Sequence, residues 1–270
     1  LIIPATGDIF QGMNAHHTAG SGRRFRRLGI IAVFIGSAAL MGIGCTVKQT
    51  LFLDADGSGT ADIHITLHPV LERYMRDLIS LSAEVSEDEP IFDPRAIERT
   101  FLGISDLELL SAEVPSPAEL TARVRFYDIS AVFTDELPEG VRSPAVFTSR
   151  GGAKEALFYL DYDNYLQMTA RFLTLAALED YQEYVTALLE PGPREVIIDM
   201  YQYAFEDYLE EGRTVAEMLE ESTVELTVNP RGNITAQTGG TLTDGAVRFT
   251  LPLIEILTME EPFSYLVRFR

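Results

Sequence analysis

The chain is poor in thiols, histidine, positive charge and long apolar runs, and each shortage removes a class of function. Cys45 is the only cysteine in 270 residues, so an internal disulfide, a redox pair and a multi-thiolate metal site are all excluded. Of four histidines, only His64 and His68 lie beyond residue 45. Their i, i+4 spacing suits a metal on a helix, but His64 sits in an alternating stretch, where the two rings would stand roughly 13 Å apart. No metal and no cofactor is expected. Lys and Arg number 21 against 41 Asp and Glu. A surface of that sign repels nucleic acid, which is excluded as a partner. The sequence has no G-x-S-x-G elbow and no glycine loop of the phosphate- or dinucleotide-binding kind. With so many carboxylates, pairs such as Asp161 and Asp163 arise by chance. Catalysis is not expected.

What is present begins near the N-terminus. Arg23, Arg24, Arg26 and Arg27 form a positive cluster, and sixteen uncharged residues, Leu28 to Ile43, follow it. Gly44 and Cys45 come next, and the chain turns polar at Thr46, Lys48 and Gln49. A positive segment, an apolar segment and small residues at a cleavage point make up a secretory signal. Sixteen residues fall short of the roughly 20 that span a bilayer comfortably, which disfavours an uncleaved anchor. Arg23-Arg24-Phe25-Arg26 lacks the rest of a twin-arginine motif. Met41-Gly42-Ile43-Gly44-Cys45 resembles the lipobox of bacterial lipoproteins, with Gly42 where that family prefers Leu. The resemblance implies cleavage before Cys45 and its modification with diacylglycerol and a palmitate-type acyl chain. Residues 1–44 are then a signal peptide, 1–12 an upstream extension with Met13 as the expected start, and 45–270 a lipid-anchored ectodomain. Residues 46–270 keep 17 basic and 40 acidic side chains, a formal charge of −23.

The ectodomain pattern opens with strands. Val47, Leu51 and Leu53 alternate with polar residues, although Phe52 breaks the period, and Ile63, Ile65 and Leu67 alternate again. Asp54-Ala55-Asp56-Gly57-Ser58-Gly59 between them reads as a hairpin turn. A calcium loop starting at Asp54 would need Glu at its twelfth position, which is Ile65. Helical spacing follows in Val70, Leu71, Tyr74, Met75, Leu78 and Ile79, then a short helix after Asp93-Pro94 that buries Ile97 and Phe101. Strands are predicted at 107–114, 120–126, 145–149 and 156–162. Residues 164–221 read as a helical insertion, broken at Pro191-Gly192-Pro193 and reopened by the capping box Thr214–Glu217. Alternation returns at Val224–Val228, Val247–Leu251 and Phe263–Phe269. The expected fold is α+β, an antiparallel sheet of N- and C-terminal strands with a helical insertion in the second half, the first and last strands pairing in one sheet.

Eight of the eleven tyrosines lie between Tyr159 and Tyr208. Tyr165, Phe172, Tyr181, Tyr184, Tyr201 and Phe205 are the candidate ligand-binding residues, because aromatic rings recur at binding surfaces. The same rings also suit the packing of helices on a sheet.

Cys45–Leu53, the turn Asp56-Gly57-Ser58-Gly59 and the strand after it resemble the LppM-type lipoproteins of bacteria. So do Val224–Val228, Pro230-Arg231-Gly232-Asn233-Ile234-Thr235, Asp244-Gly245 and Val247–Leu251. The middle of the chain does not match. The resemblance implies an α+β envelope module able to hold lipid, and it assigns no site residue. The expected function is therefore a membrane-anchored envelope lipoprotein with a non-catalytic binding or scaffolding ectodomain. Its partners are the membrane, through the lipid on Cys45, and an envelope protein or lipid. A carrier of lipid or another apolar ligand is the alternative, and a hydrolytic enzyme without recognisable motif comes third.

Overall fold

In the computed structural model, which describes residues 45–80, 90–102, 106–134, 137–175 and 188–270, the first two alternating runs form a hairpin. It joins β1 (Cys45–Leu53) to β2 (Gly59–Leu67). The arginine cluster, apolar run and lipobox before Cys45 lie outside the described residues. Asp54 donates its backbone N–H to the Ser58 carbonyl (2.8 Å), and Asp56 Oδ1 accepts from the Ser58 N–H and hydroxyl at 3.1 and 2.6 Å. Those hydrogen bonds hold the Asp56 carboxyl below its usual range. Gly57 takes φ +91°. The acidic turn residues thus shape a hairpin, as the sequence pattern requires.

A seven-stranded sheet grows around this hairpin in the order β3-β4-β2-β1-β7-β10-β9. Here β3 is Leu107–Glu113, β4 Glu119–Phe126, β7 Thr223–Pro230, β9 Thr241–Thr243 and β10 Ala246–Pro252. It is built from N- and C-terminal strands and is antiparallel except where β1 runs parallel to β7. The closing strand, β11 (Phe263–Phe269), does not pair with β1. It lies in a second, antiparallel sheet of order β5-β6-β11-β8, with β5 at Ala145–Arg150, β6 at Ala153–Leu160 and β8 at Ile234–Thr238. The chain changes sheets at Arg231-Gly232-Asn233. Arg231 N–H still bonds the Leu53 carbonyl (2.7 Å), whereas Asn233 already exchanges backbone bonds with Arg270 at 2.9 and 3.0 Å. Alternation specifies which face a residue takes and not which strand lies beside it, so the sequence left this exchange invisible.

The large sheet buries one face: Val47, Leu51, Ile63, Ile65, Val124, Phe126, Val228 and Phe249 are nearly solvent-free. Each such side chain contributes about 1.5–3 kcal/mol of transfer free energy. Helices cover this face from the end at which β1 begins. Helix α1 (Pro69–Ser80) leaves β2 there and buries Val70, Leu71 and Met75. His68, just before it, accepts the Val70 N–H on Nδ1 (3.2 Å), and burial lowers its pKa. Helix α2 (Pro94–Phe101) opens on Asp93, whose carboxylate accepts the Arg95 N–H (2.9 Å), and buries Ile97 and Phe101. Both features follow the pattern expected of them. Short α3 (Ala131–Thr134) comes next.

Between β6 and β7 come α4 (Tyr162–Leu175), α5 (Arg194–Phe205) and α6 (Val215–Glu221). The fully buried Asn164 fixes the start of α4. It trades hydrogen bonds with Asp161 at 3.0 Å and donates to the Tyr159 and Arg142 carbonyls at 3.1 and 3.3 Å. The capping box at Thr214 and Glu217 is formed, with Thr214 N–H to Glu217 Oε2 at 2.9 Å and Glu217 N–H to Thr214 Oγ1 at 3.2 Å. Helix α7 (Leu253–Thr258) has no counterpart in the sequence reading. Leu253, Ile254, Ile256 and Leu257 are all buried and only Glu255 is exposed, so six residues with one polar position between apolar pairs show no clear helical period.

Candidate functional site

The second face of the large sheet carries polar side chains in cross-strand rows. One row, Glu108, Arg125, Thr60, Phe52 and Asn229, crosses five strands near the end where β1 finishes. The next contains Arg123 and Asp62, joined by two hydrogen bonds at 2.5 and 2.6 Å. Over the first row opens a cleft of about 620 Å³. Asp54, Ser58, Pro230 and Arg231 line it from the two turns, and Leu53, Gly59 and Phe126 line it at the strand ends, the Leu53 and Phe126 side chains themselves being buried.

Two rings stand at the surface there, Phe52 at 40% exposure and Tyr127 at 55%. The cations of the cleft are matched. Arg125 Nη1 lies 2.5 Å from Glu108 Oε2, which also accepts the Tyr127 hydroxyl at 3.2 Å, and Arg231 Nη1 lies 3.1 Å from Asp54 Oδ1. Tyr127 also borders a neighbouring groove of about 590 Å³ between the end of α2 and β3, where Leu102 and Leu110 are exposed. Leu110 is skipped in the register between Leu109 and Ser111, a bulge on the sheet's outermost strand. Such bulges discourage a further strand from adding.

Cys45 opens β1 opposite Leu67, at the other end of the sheet. Eight residue steps at strand rise put it roughly 26 Å from Leu53 and the cleft.

The tyrosine-rich candidates lie elsewhere. Tyr165, Tyr201 and Phe205 are fully buried. Tyr201 and Phe205 pack at 5.7 Å between ring centroids, Phe205 meets Tyr74 of α1 at 5.0 Å, and the Tyr201 hydroxyl donates to the Leu188 carbonyl (2.5 Å). Phe172 belongs to α4, but its side chain lies outside the described residues, as do Tyr181 and Tyr184. Tyr208 donates to Asp77 Oδ2 (2.6 Å), and that hydrogen bond, with desolvation, pushes its phenol up to about 12. Among the described residues, the buried Tyr165 hydroxyl has no hydrogen-bond partner. Removing such a group relieves its desolvation cost, so Tyr165→Phe is expected to leave stability unchanged or raise it by about 1 kcal/mol. A urea midpoint that falls would refute this.

His64 lies on the polar face, with Thr121 and Thr66 hydroxyls at 3.1 and 3.2 Å from its two ring nitrogens. Among the described residues, no group of three His, Cys, Asp or Glu side chains is placed to hold a metal.

Sequence reasoning did not find the cleft, because its residues come from separate strands and turns. One signal pointed to it: Phe52, the residue that breaks the alternation of β1, is the ring that faces out.

The chain is thus an α+β domain of two sheets, with an open polar and aromatic cleft at one end of the larger. No protein-family model matches it, and no curated protein matches it. Among solved structures, the folded domain of LppM from Mycobacterium tuberculosis is similar over 92% of this chain and 95% of that one, at 10% identity and a TM-score of 0.37. Values this low transfer neither a site nor an activity.

Proposed function

We propose that the chain is an exported bacterial lipoprotein, held to a membrane of the cell envelope by lipid on Cys45, with a non-catalytic binding ectodomain. The observation that carries this reading is the position of Cys45. It closes a positive and then apolar leader, and β1 opens on the cysteine itself. An anchor there is joined to the sheet without a spacer, and it leaves the cleft at the end remote from the bilayer. Among the described residues no helix is long and apolar enough to cross a membrane. Labelled palmitate, fed to a bacterial host, is expected to enter the wild-type chain and to be absent from Cys45→Ala. Label retained in the variant would sink the anchor.

A lipid or apolar-ligand carrier is the second reading, favoured by the buried Tyr165 hydroxyl, which has no hydrogen-bond partner among the described residues. Against it stands the packing of Tyr165, Tyr201 and Phe205. All three are solvent-free, so a ligand touching them must displace core contacts. Lipid that co-purifies and shifts on Tyr165→Phe would move the balance to the carrier.

A further inference from the structure

Resting on the binding role just proposed for the ectodomain, we infer that the cleft at the Leu53 end takes a neutral polyhydroxylated chain, a glycan. Charge argues first. Arg125 and Arg231 are the cleft's cations, and Glu108 and Asp54 neutralise them in place. A phosphate or carboxylate would have to displace a carboxylate already bound, whereas a hydroxyl can add to both partners of each pair. A polyol hydroxyl both donates and accepts, and the cleft offers both kinds of group: Asp54 accepts, the arginines donate, and Ser58, Thr60 and Asn229 do either.

Shape argues next. Acyl chains need an enclosed apolar cavity, and this cleft lies open on a sheet face with Leu53 as its aliphatic residue. Phe52 and Tyr127 instead present rings at the surface. A sugar ring lays its C–H face on such a ring while its hydroxyl edge bonds polar groups in the plane. Phe52 stands on β1 and Tyr127 directly follows β4, two strand spacings away across β2, or at least roughly 10 Å, and the Tyr127 hydroxyl reaches Glu108 of the same cross-strand row as Phe52. A ligand touching both is longer than one sugar ring, and an open groove admits the interior of a polymer.

The test uses the full chain in a sugar-free detergent and isothermal titration. The probes are neutral tetrasaccharides of glucose, of galactose and of N-acetylglucosamine, then a heparin tetrasaccharide, inorganic phosphate and short-chain phosphatidylglycerol. At least one neutral tetrasaccharide is expected to bind saturably. Phe52→Ala and Tyr127→Ala should each weaken it about tenfold, the loss of one ring contact. Tyr203→Ala, which removes an exposed ring on α5, should not. Phe52→Tyr and Tyr127→Phe keep the ring and should bind within a few-fold of wild type, which separates a lost contact from a lost fold. No binding by any neutral tetrasaccharide, or binding that the ring deletions leave intact, overturns the assignment. Binding of an anionic probe alone, sensitive to the same variants, overturns the glycan while leaving a binding ectodomain standing. Palmitate labelling at Cys45 reads the anchor separately from all of these.

Discussion

Phe249→Ala is expected to lower the unfolding free energy by about 3–5 kcal/mol, the usual cost of emptying a buried aromatic site. Phe249 projects from β10 of the large sheet and is solvent-free. Its ring lies 6.4 Å from that of Phe158 on β6 and 4.7 Å from that of Tyr265 on β11. It also fills the space beside Gly240, where a methyl would sit 2.5 Å from the ring. One side chain therefore joins the two sheets. With domain stabilities of about 5–15 kcal/mol, the loss would be a large share of the total. Urea unfolding should show a lower midpoint with an unchanged slope. Phe52→Ala is the control: its ring lies on the polar face, so truncation there should cost about 0.5 kcal/mol or less. Similar losses from the two variants would mean that the sheets do not share a core.

The parts of this fold that were legible are those set by local chemistry. Asp93-Pro94 and Thr214–Glu217 opened helices because a cap is decided within one turn of chain. The strand at Leu120–Phe126 and the hairpin at Asp54–Gly59 were legible because one face of the sheet is buried and the other is wet. Three things were not legible. The second neighbour of β1, beyond its hairpin partner β2, is β7 rather than the closing strand, and alternation carries no information on partners. Helix α7 is short and buries all four of its aliphatic side chains around a single exposed Glu255, and β8 and β9 are short pieces without clear alternation. The cleft was hidden for a different reason. Phe52, Arg125, Asn229 and Arg231 are far apart in the chain, and only the register of four strands brings them together. The clustered tyrosines drew attention by density in sequence, yet Tyr165, Tyr201 and Phe205 are core residues.

Gly59→Ala is expected to be as damaging in its way, and it ties stability to the cleft. Gly59 opens β2 opposite Leu53 and Phe126. A methyl there would lie 1.9 Å from the Phe52 carbonyl oxygen and 2.7 Å from Phe126 Cζ. The first obstacle is backbone, so no change of rotamer relieves it; β1 and β2 must part at the turn. Overpacking commonly costs 1–3 kcal/mol, and with main chain in the way about 3 kcal/mol or more is expected. Gly151→Ala in the β5–β6 turn gives the comparison. It has φ +58° but nothing within 4 Å, so it pays only the left-handed backbone penalty, about 1 kcal/mol. Even where Gly59→Ala still folds at low temperature, parting the strands would shift Phe52 and Thr60, two of the five residues in the row beneath the cleft. Amide chemical shifts of Phe52, Thr60 and Arg125 should therefore move while those of β11 stay in place. A Gly59→Ala variant no less stable than Gly151→Ala, with those shifts unchanged, would mean that the hairpin accommodates a methyl at this position and that its register does not position the cleft.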